Sequence, residues 1–405
     1  MAKDSTSTRQ VLPLMALTVF IEMAGFALAL PMLPFWAQKF GADAFAIGMM
    51  MAAYSIAQLI FTPVVGSLSD RFGRRRIIVG TLVLEALGFI GTALAWSVPT
   101  LILARFMGGI GGSSIGSAQA VVADVTGPED RARGMGFIGA AIGIGFVVGP
   151  AVGALLVFVG PSMPFWGAAA VTLLDALVVA LVLPETLALG ARTKAKVLEF
   201  TPLRLPAVRN LIAVTLLFTT AFAGMETVLP LFTQGALGWG AVENGIAFAL
   251  VGITMVIIQG GLIGRLVKHY GERPLLIGGL LLCAGGLAIL PIGSMFALIV
   301  LGAGLTTLGY ALIYPTSSSL LSYAAPEDRQ GVTLSLARSA SGLARVIGPA
   351  IAGISYSAVS ASAPFFVAAA ITAAAVLLVP ALASGARAAI SSRSHLRSRE
   401  AGSAD

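Results

Sequence analysis

The stretch GSLSDRFGRRR, Gly66 to Arg76, sets four arginines and one aspartate between two long apolar runs. Charge this dense is costly in hydrocarbon, so the stretch reads as a tight turn at a membrane face. Gly66 stands four residues before Asp70, Arg71 follows at once, and Gly73 and Arg74 close the pattern. Taken as charge alone, it is a basic turn on the cytoplasmic side. The spacing is more particular than that.

Outward from the turn the chain is apolar. Of 405 residues 57% are hydrophobic and only 11% charged, which no ordinary soluble domain matches. A spanning helix needs about 20 apolar residues. Twelve such runs can be read, at 11–36, 45–68, 77–96, 99–123, 134–158, 163–183, 209–233, 242–264, 275–293, 295–321, 331–358 and 362–383. The start, MAKDSTSTRQ, leads into an apolar run too long for a signal-peptide core, so the first span is expected to stay. Cys283 is the single cysteine and lies in an apolar run. That leaves no disulfide framework and no thiol metal site, and no metal or cofactor is expected.

Twelve spans put both termini on one side. Of the 25 Lys and Arg, 21 fall in the end segments, in the turns after even-numbered spans or in the central linker. Lys39 alone falls on the opposite side, and Arg105, Arg338 and Arg345 fall within spans. This asymmetry predicts cytoplasmic termini. It also assigns the net charge of +7 to topology rather than to a nucleic-acid surface.

The longest polar interruption divides the chain into a six-helix bundle over 1–184, a linker over 185–208, a second bundle over 209–383 and a basic tail over 384–405. The halves repeat. GRLVKHYG at Gly264–Gly271 copies Gly66–Gly73 at an offset of 198, PEDR at Pro128–Arg131 recurs 198 residues on, and Gly149-Pro150 recurs as Gly348-Pro349 at 199. Lys268 stands where the first copy has Asp70.

The glycine, aspartate, arginine and glycine of Gly66–Arg74 resemble the loop signature between the second and third helices of the major facilitator superfamily. The resemblance implies an all-α membrane protein of twelve transmembrane helices in two parallel six-helix repeats, with substrate near mid-membrane. Its loop residues Gly66, Asp70, Arg71, Gly73 and Arg74 imply gating. Asp70 is expected to meet the start of span eleven, near Gln330 and Gly331, when the cytoplasmic side is closed.

Four further groups carry function. Glu22 lies about eleven residues into the first span. A carboxyl group at that depth responds to wetting and pairing, which makes it a candidate proton carrier or cation anchor, or else a structural carboxyl bonded to a neighbouring helix, and Tyr54 and Gln58 on the second span reach toward the same cavity. Arg105 shares a helical face with Gly109, Gly112 and Gly116. It resembles the family's fourth-helix arginine, linked there to proton coupling, although at about 9 Å depth it can also snorkel to the headgroups. Gly149, Pro150 and Gly153 match the Gly-Pro motif of the family's drug-exporting branch and serve equally as packing residues. Glu226 on the seventh span and Arg338 and Arg345 on the eleventh complete a cavity set. Glu85 and Asp175, on spans three and six, read as structural.

VVADVTGPEDRARGMGFIGAAIGIGFVVGPAVG and SMPFWGAAA are most similar to the tetracycline-exporter-like branch of the drug:proton antiporters. That branch implies proton-coupled efflux of small amphipathic compounds from the inner membrane by a monomer. The ninth-span sequence LLIGGLLLCAGGLAIL has no carboxylate, which cuts against tetracycline itself. The intramembrane arginines favour an alternative, a proton- or anion-coupled transporter of an anionic or zwitterionic metabolite. A membrane enzyme would need a His, Cys or acid cluster that two histidines and one cysteine do not supply. A passive channel does not need the repeat and the signature loop.

Overall fold

The computed structural model of the chain describes residues 5–126, 128–186, 201–292, 296–326 and 329–379. The tail over 384–405 and most of the linker, 187–200, lie outside these residues. Among the described residues every regular element is helical, as a chain in hydrocarbon requires, because only a helix or a closed barrel pairs its own backbone groups there.

The first half comprises α1 (Ser5–Gln38), α2 (Ala44–Phe72), α3 (Arg74–Ala93), α4 (Val98–Gly111), α5 (Ile115–Val125), α6 (Pro128–Val157) and α7 (Met163–Val182). The second comprises α8 (Pro206–Leu237), α9 (Ala241–Ile257), α10 (Ile263–Tyr270), α11 (Glu272–Ile289), α12 (Phe296–Ala324), α13 (Gln330–Ala358) and α14 (Ala363–Val376). Among the described residues ten stretches are long and apolar enough to cross a membrane, with α4 and α5 forming one and α9 and α10 another. The arginine-bearing α13 and the short α14 complete the twelve spans.

Three boundaries differ from the sequence reading. The fourth span is broken at Gly112–Ser114 between α4 and α5. The eighth continues past Gly264 to Tyr270 through a π-helical turn at Ile258–Leu262, where Gly260 and Gly261 ease the wider backbone. The second runs on to Phe72, so Asp70 and Arg71 belong to its last helical turn. The connection to α3 is Gly73 alone. Its φ of +104° suits glycine, and its N–H donates to the Ser69 carbonyl at 3.1 Å.

Glu185, just past α7, sets the direction of α3. Its Oε1 accepts from the Arg74 backbone N–H at 2.8 Å, at the positive end of the helix dipole. The same carboxylate occupies the space a Cβ at Gly73 would need, a second reason for glycine there. The buried Arg74 side chain then reaches Asp70 at 2.6 Å and Asp124, at the end of α5, at 3.1 Å. One guanidinium thus ties α2, α3 and α5 together.

Side-chain-free backbone sets the helix seams. A Cβ on Gly88 would stand 2.5 Å from the Gly108 Cα, so α3 and α4 touch backbone to backbone. On α6, Gly145 and Gly149 lie against the α1 backbone at Phe20 and Ala24, and Gly153 lies against Leu28 and Met32. In the second half, Gly286, Gly302 and Gly309 make the matching seam between α11 and α12. Contacts divide the structure into two compact units. One draws on Met1–Ala195, Gly224–Val256 and Arg345–Ala361; the other draws on Lys196–Ala223, Ile257–Ala344 and Ser362–Asp405.

These seams make unequal demands. Gly88→Leu is expected to cost about 1–3 kcal/mol through overpacking, read as a lowered melting midpoint in detergent. Gly80→Leu on the same helix, with nothing within 4 Å of its Cβ position, should leave the midpoint unchanged. Glu185→Ala removes an N-terminal acceptor and should cost about 0.5–1 kcal/mol. Asp70→Asn weakens a half-buried i,i+4 pair while leaving Arg74 its contact with Asp124, and should cost no more than about 1 kcal/mol.

Candidate functional site

The unit that holds the first seven helices also holds the later part of α8 and the end of α13. It therefore contains Glu22, Tyr54, Gln58, Arg105, Glu226 and Arg345.

The break after α4 is the starting point. Gly112 ends α4, and its carbonyl accepts from Gln58 Nε2 of α2 at 2.6 Å. Ser114, in the short turn before α5, donates its hydroxyl to Glu22 Oε2. Glu22 is fully buried, and its Oε1 has no hydrogen-bond partner. A continuous fourth helix was the sequence expectation. The broken one frees a carbonyl for Gln58 and turns a hydroxyl toward α1.

Arg105 lies on α4 and is only 2% exposed. Its guanidinium sits over the Tyr54 ring, 4.4 Å from the centroid. The snorkelling alternative is thereby excluded, because the side chain turns into the helix bundle. A cation over an aromatic face is stabilised by the ring quadrupole, by about 2 kcal/mol or more when desolvated. Tyr54 packs in turn on Phe26 of α1 at 5.3 Å between centroids, and its hydroxyl is buried without a partner.

Phe26 carries a second arginine on its far side. The Arg345 guanidinium lies 5.6 Å from the Phe26 centroid and pairs with Glu226 of α8 at 3.7 Å. The sequence of contacts is thus Arg105, Tyr54, Phe26, Arg345, Glu226. The Arg345 side chain keeps 25% exposure, against 7% for Glu226. Arg338, two helical turns earlier on α13, is exposed and belongs to the other unit.

Gly149 and Pro150 place α6 between two partners. Gly149 meets the Ala24 carbonyl on α1. The Pro150 carbonyl lies 2.9 Å from the Cβ position of Gly245, so it backs onto α9. An apolar crevice of about 150 Å³ opens beside Gly149, lined by Phe20, Ala24, Leu28, Val152 and Val171 among others.

Asp70 is held by Arg74, Arg71 lies over the Phe72 ring at 5.2 Å, and Gly66 has open space around it. The expected partners Gln330 and Gly331 have side chains outside the described residues. Among the described residues no group of three or more His, Cys, Asp or Glu converges as a metal site.

Sequence reasoning missed Ser114 and Phe26, because a serine after a glycine run and one phenylalanine in a greasy span carry no signal. Glu85 and Asp175, read from the sequence as structural, are buried inside the first bundle, where Glu85 is in electrostatic reach of Glu22, Arg105 and Asp175. Asp124 and Glu185 went unremarked, and only the position of each at a helix end hinted at a tie to the signature turn.

Three comparisons bear on the family. The sequence model of the Major Facilitator Superfamily matches residues 15–263 and 260–401. The chain is 28% identical to Multidrug resistance protein 2 of Bacillus subtilis over 365 residues, 87% of this chain and 90% of that protein. It is also 28% identical to the class B tetracycline resistance protein of Escherichia coli over 353 residues, covering 83% and 86%. The solved human organic anion transporter MFSD10 superposes with a TM-score of 0.69 at 26% identity, over 92% of this chain and 99% of that one. Twelve helical spans, a repeated half and these matches lead to one conclusion: the chain is a multi-pass membrane transporter that belongs to the major facilitator superfamily.

Proposed function

We propose that this transporter exports small amphipathic compounds in exchange for protons, by alternating access, as a monomer of the inner membrane with both termini cytoplasmic. The observation that carries the reading is the buried carboxyl group of Glu22, held at one oxygen by Ser114 and unpartnered at the other. Oε1 can take or release a proton while Oε2 keeps its bond, so the group changes charge without moving. Arg105, on the same bundle, supplies the opposite charge. Gly149, Pro150 and Gly153 give α6 close contact with both α1 and α9, which suits an element that transmits motion between them. Asp70, Arg71 and Arg74, with Gly66 and Gly73, form the turn expected to gate the cytoplasmic side.

Relatives named for multidrug, tetracycline and quinolone resistance support efflux of amphipathic compounds. In proteoliposomes with an imposed proton gradient, wild type should concentrate ethidium or norfloxacin. Glu22→Gln should fold and bind as wild type but lose at least tenfold in gradient-driven uptake. Uptake by Glu22→Gln at the wild-type rate would make Glu22 structural.

A second reading, transport of an anionic or zwitterionic compound, is favoured by Arg345. Its contact with Glu226 is long for an ion pair, and the side chain stays partly open, so an incoming carboxylate can displace Glu226. The solved relative MFSD10 is an organic anion transporter. Arg345→Ala should reduce uptake of anionic and zwitterionic probes several-fold more than uptake of ethidium. Equal loss for all charge classes would assign Arg345 to packing.

A further inference from the structure

Glu85 is a polar group that this function leaves without a task. It sits on α3, is 1% exposed, and neither carboxyl oxygen has a hydrogen-bond partner. The charged groups in electrostatic reach of it are Glu22 of α1, Arg105 of α4 and Asp175 of α7, with the Tyr54 phenol of α2. Asp175 accepts from the Thr18 hydroxyl at 3.2 Å, but its Oδ2 is unpartnered. Ser117 of α5 contributes one more buried hydroxyl without a partner. A buried carboxyl group lacking hydrogen bonds costs free energy, and an ionisable side chain inside a membrane bundle is a functional residue by default.

The internal repeat shows that this seam can be packed without the acids or the arginine. At the offset of 198, Glu85 corresponds to Cys283 and Arg105 to Ala303. Along α7 and α14 the register is 200, set by Pro164-Phe165 and Pro364-Phe365, and Asp175 corresponds to Ala375. The seam itself is unchanged. Gly111 makes room for the backbone of Glu85, and Gly309, 198 residues later, makes room for the backbone of Cys283. The second half builds the same helix pair with neither the acids nor the arginine.

We infer that Glu85 is a second proton-carrying residue, which shares exchangeable protons with Glu22 and Asp175 beside the fixed charge of Arg105. The inference takes its biological meaning from the proton-exchange reading above. Three carboxyl groups and one guanidinium are neutral together when two carboxyls hold protons and one is ionised. Loss of a proton from Glu85 and gain of one by an ionised Glu22, two carboxyls that are not hydrogen-bonded to each other, break one O–H bond and form another. Glu85 is left as the carboxylate, and the net charge is unchanged. The negative charge thereby moves between α1 and α3 without an uncompensated charge appearing in the bundle. Release of a further proton to water leaves one net negative charge, and that state is the one reprotonation must relieve.

Groups that share protons titrate in macroscopic steps that belong to the set. The test is a pH titration of the protonated-carboxyl infrared band of the full-length protein in detergent. It is run for wild type, Glu85→Cys, Glu85→Gln and Glu85→Asp. Glu85→Cys installs the residue that the second half already packs at this seam, and it should melt as wild type does. Wild type should lose the band in several steps, Glu85→Cys and Glu85→Gln should show one step fewer, and Glu85→Asp should restore it. The same steps at the same amplitude in Glu85→Cys or Glu85→Gln as in wild type would overturn the inference. Proton movement accompanying ethidium uptake separates the two proposals. A wild type that moves no protons with ethidium sinks the exchange reading, while the band titration still decides Glu85.

Discussion

Carrying an arginine from water to the middle of a bilayer costs about 3 kcal/mol on insertion scales, and Arg105 stands 2% exposed inside the first bundle. Much of the bundle is arranged to offset that cost. The Tyr54 face covers the guanidinium, Glu85 is in electrostatic reach, and Tyr54 is itself backed by Phe26. Removing the arginine would leave buried carboxyl groups facing one another with no cation among them. Charge and aromatic surface are therefore one interaction here, and the contact sequence through Phe26 extends it to Arg345 and Glu226.

Close backbone approach is what lets side chains this short meet. Gly88 against Gly108, and Gly111 against Glu85, bring α3 and α4 to the distance at which residues on both face the same interior. Gly149 does the same for α6 and α1. In hydrocarbon, helices gain little from burying apolar surface against each other, so small residues and van der Waals packing set the seams. The second half keeps these seams through Gly286, Gly302 and Gly309 and dispenses with the charges. Scaffold and chemistry have diverged separately along one duplicated chain. The same asymmetry marks the turns: Gly73 and Gly271 both take positive φ, but Lys268 stands where the first copy has the aspartate that meets Arg74.

How much was legible depended on whether a feature is local along the chain. Glu22, Arg105, Tyr54 and Gln58 stand out in sequence because polar groups in greasy runs are conspicuous, and the structure gathers all four in one unit. Glu85 and Asp175 were equally conspicuous and were read as structural, since span number says nothing of which way a side chain turns. Arg338 and Arg345 looked alike at two helical turns' spacing, yet Arg345 meets Glu226 and Phe26 while Arg338 is exposed and belongs to the other unit. The break after Gly111 was hidden because Arg105, Gly109, Gly112 and Gly116 at helical spacing also fit an unbroken helix.

Hydropathy, the distribution of Lys and Arg, the 198-residue register and the Gly66–Arg74 pattern were enough, by themselves, to determine a twelve-span duplicated membrane transporter. Each of those signals is set by the bilayer acting on the chain segment by segment, so each can be read without knowing what packs on what. Pairings across the chain were decided only by the tertiary structure: Ser114 with Glu22, Arg105 with Tyr54, Arg345 with Glu226, and Glu185 with the start of α3. They join residues from 50 to more than 110 positions apart, and they depend on helix rotation and on the few ångströms that a missing Cβ allows. Periodicity constrains neither quantity, because a helix turned by one residue along its axis presents a different face with the same hydropathy.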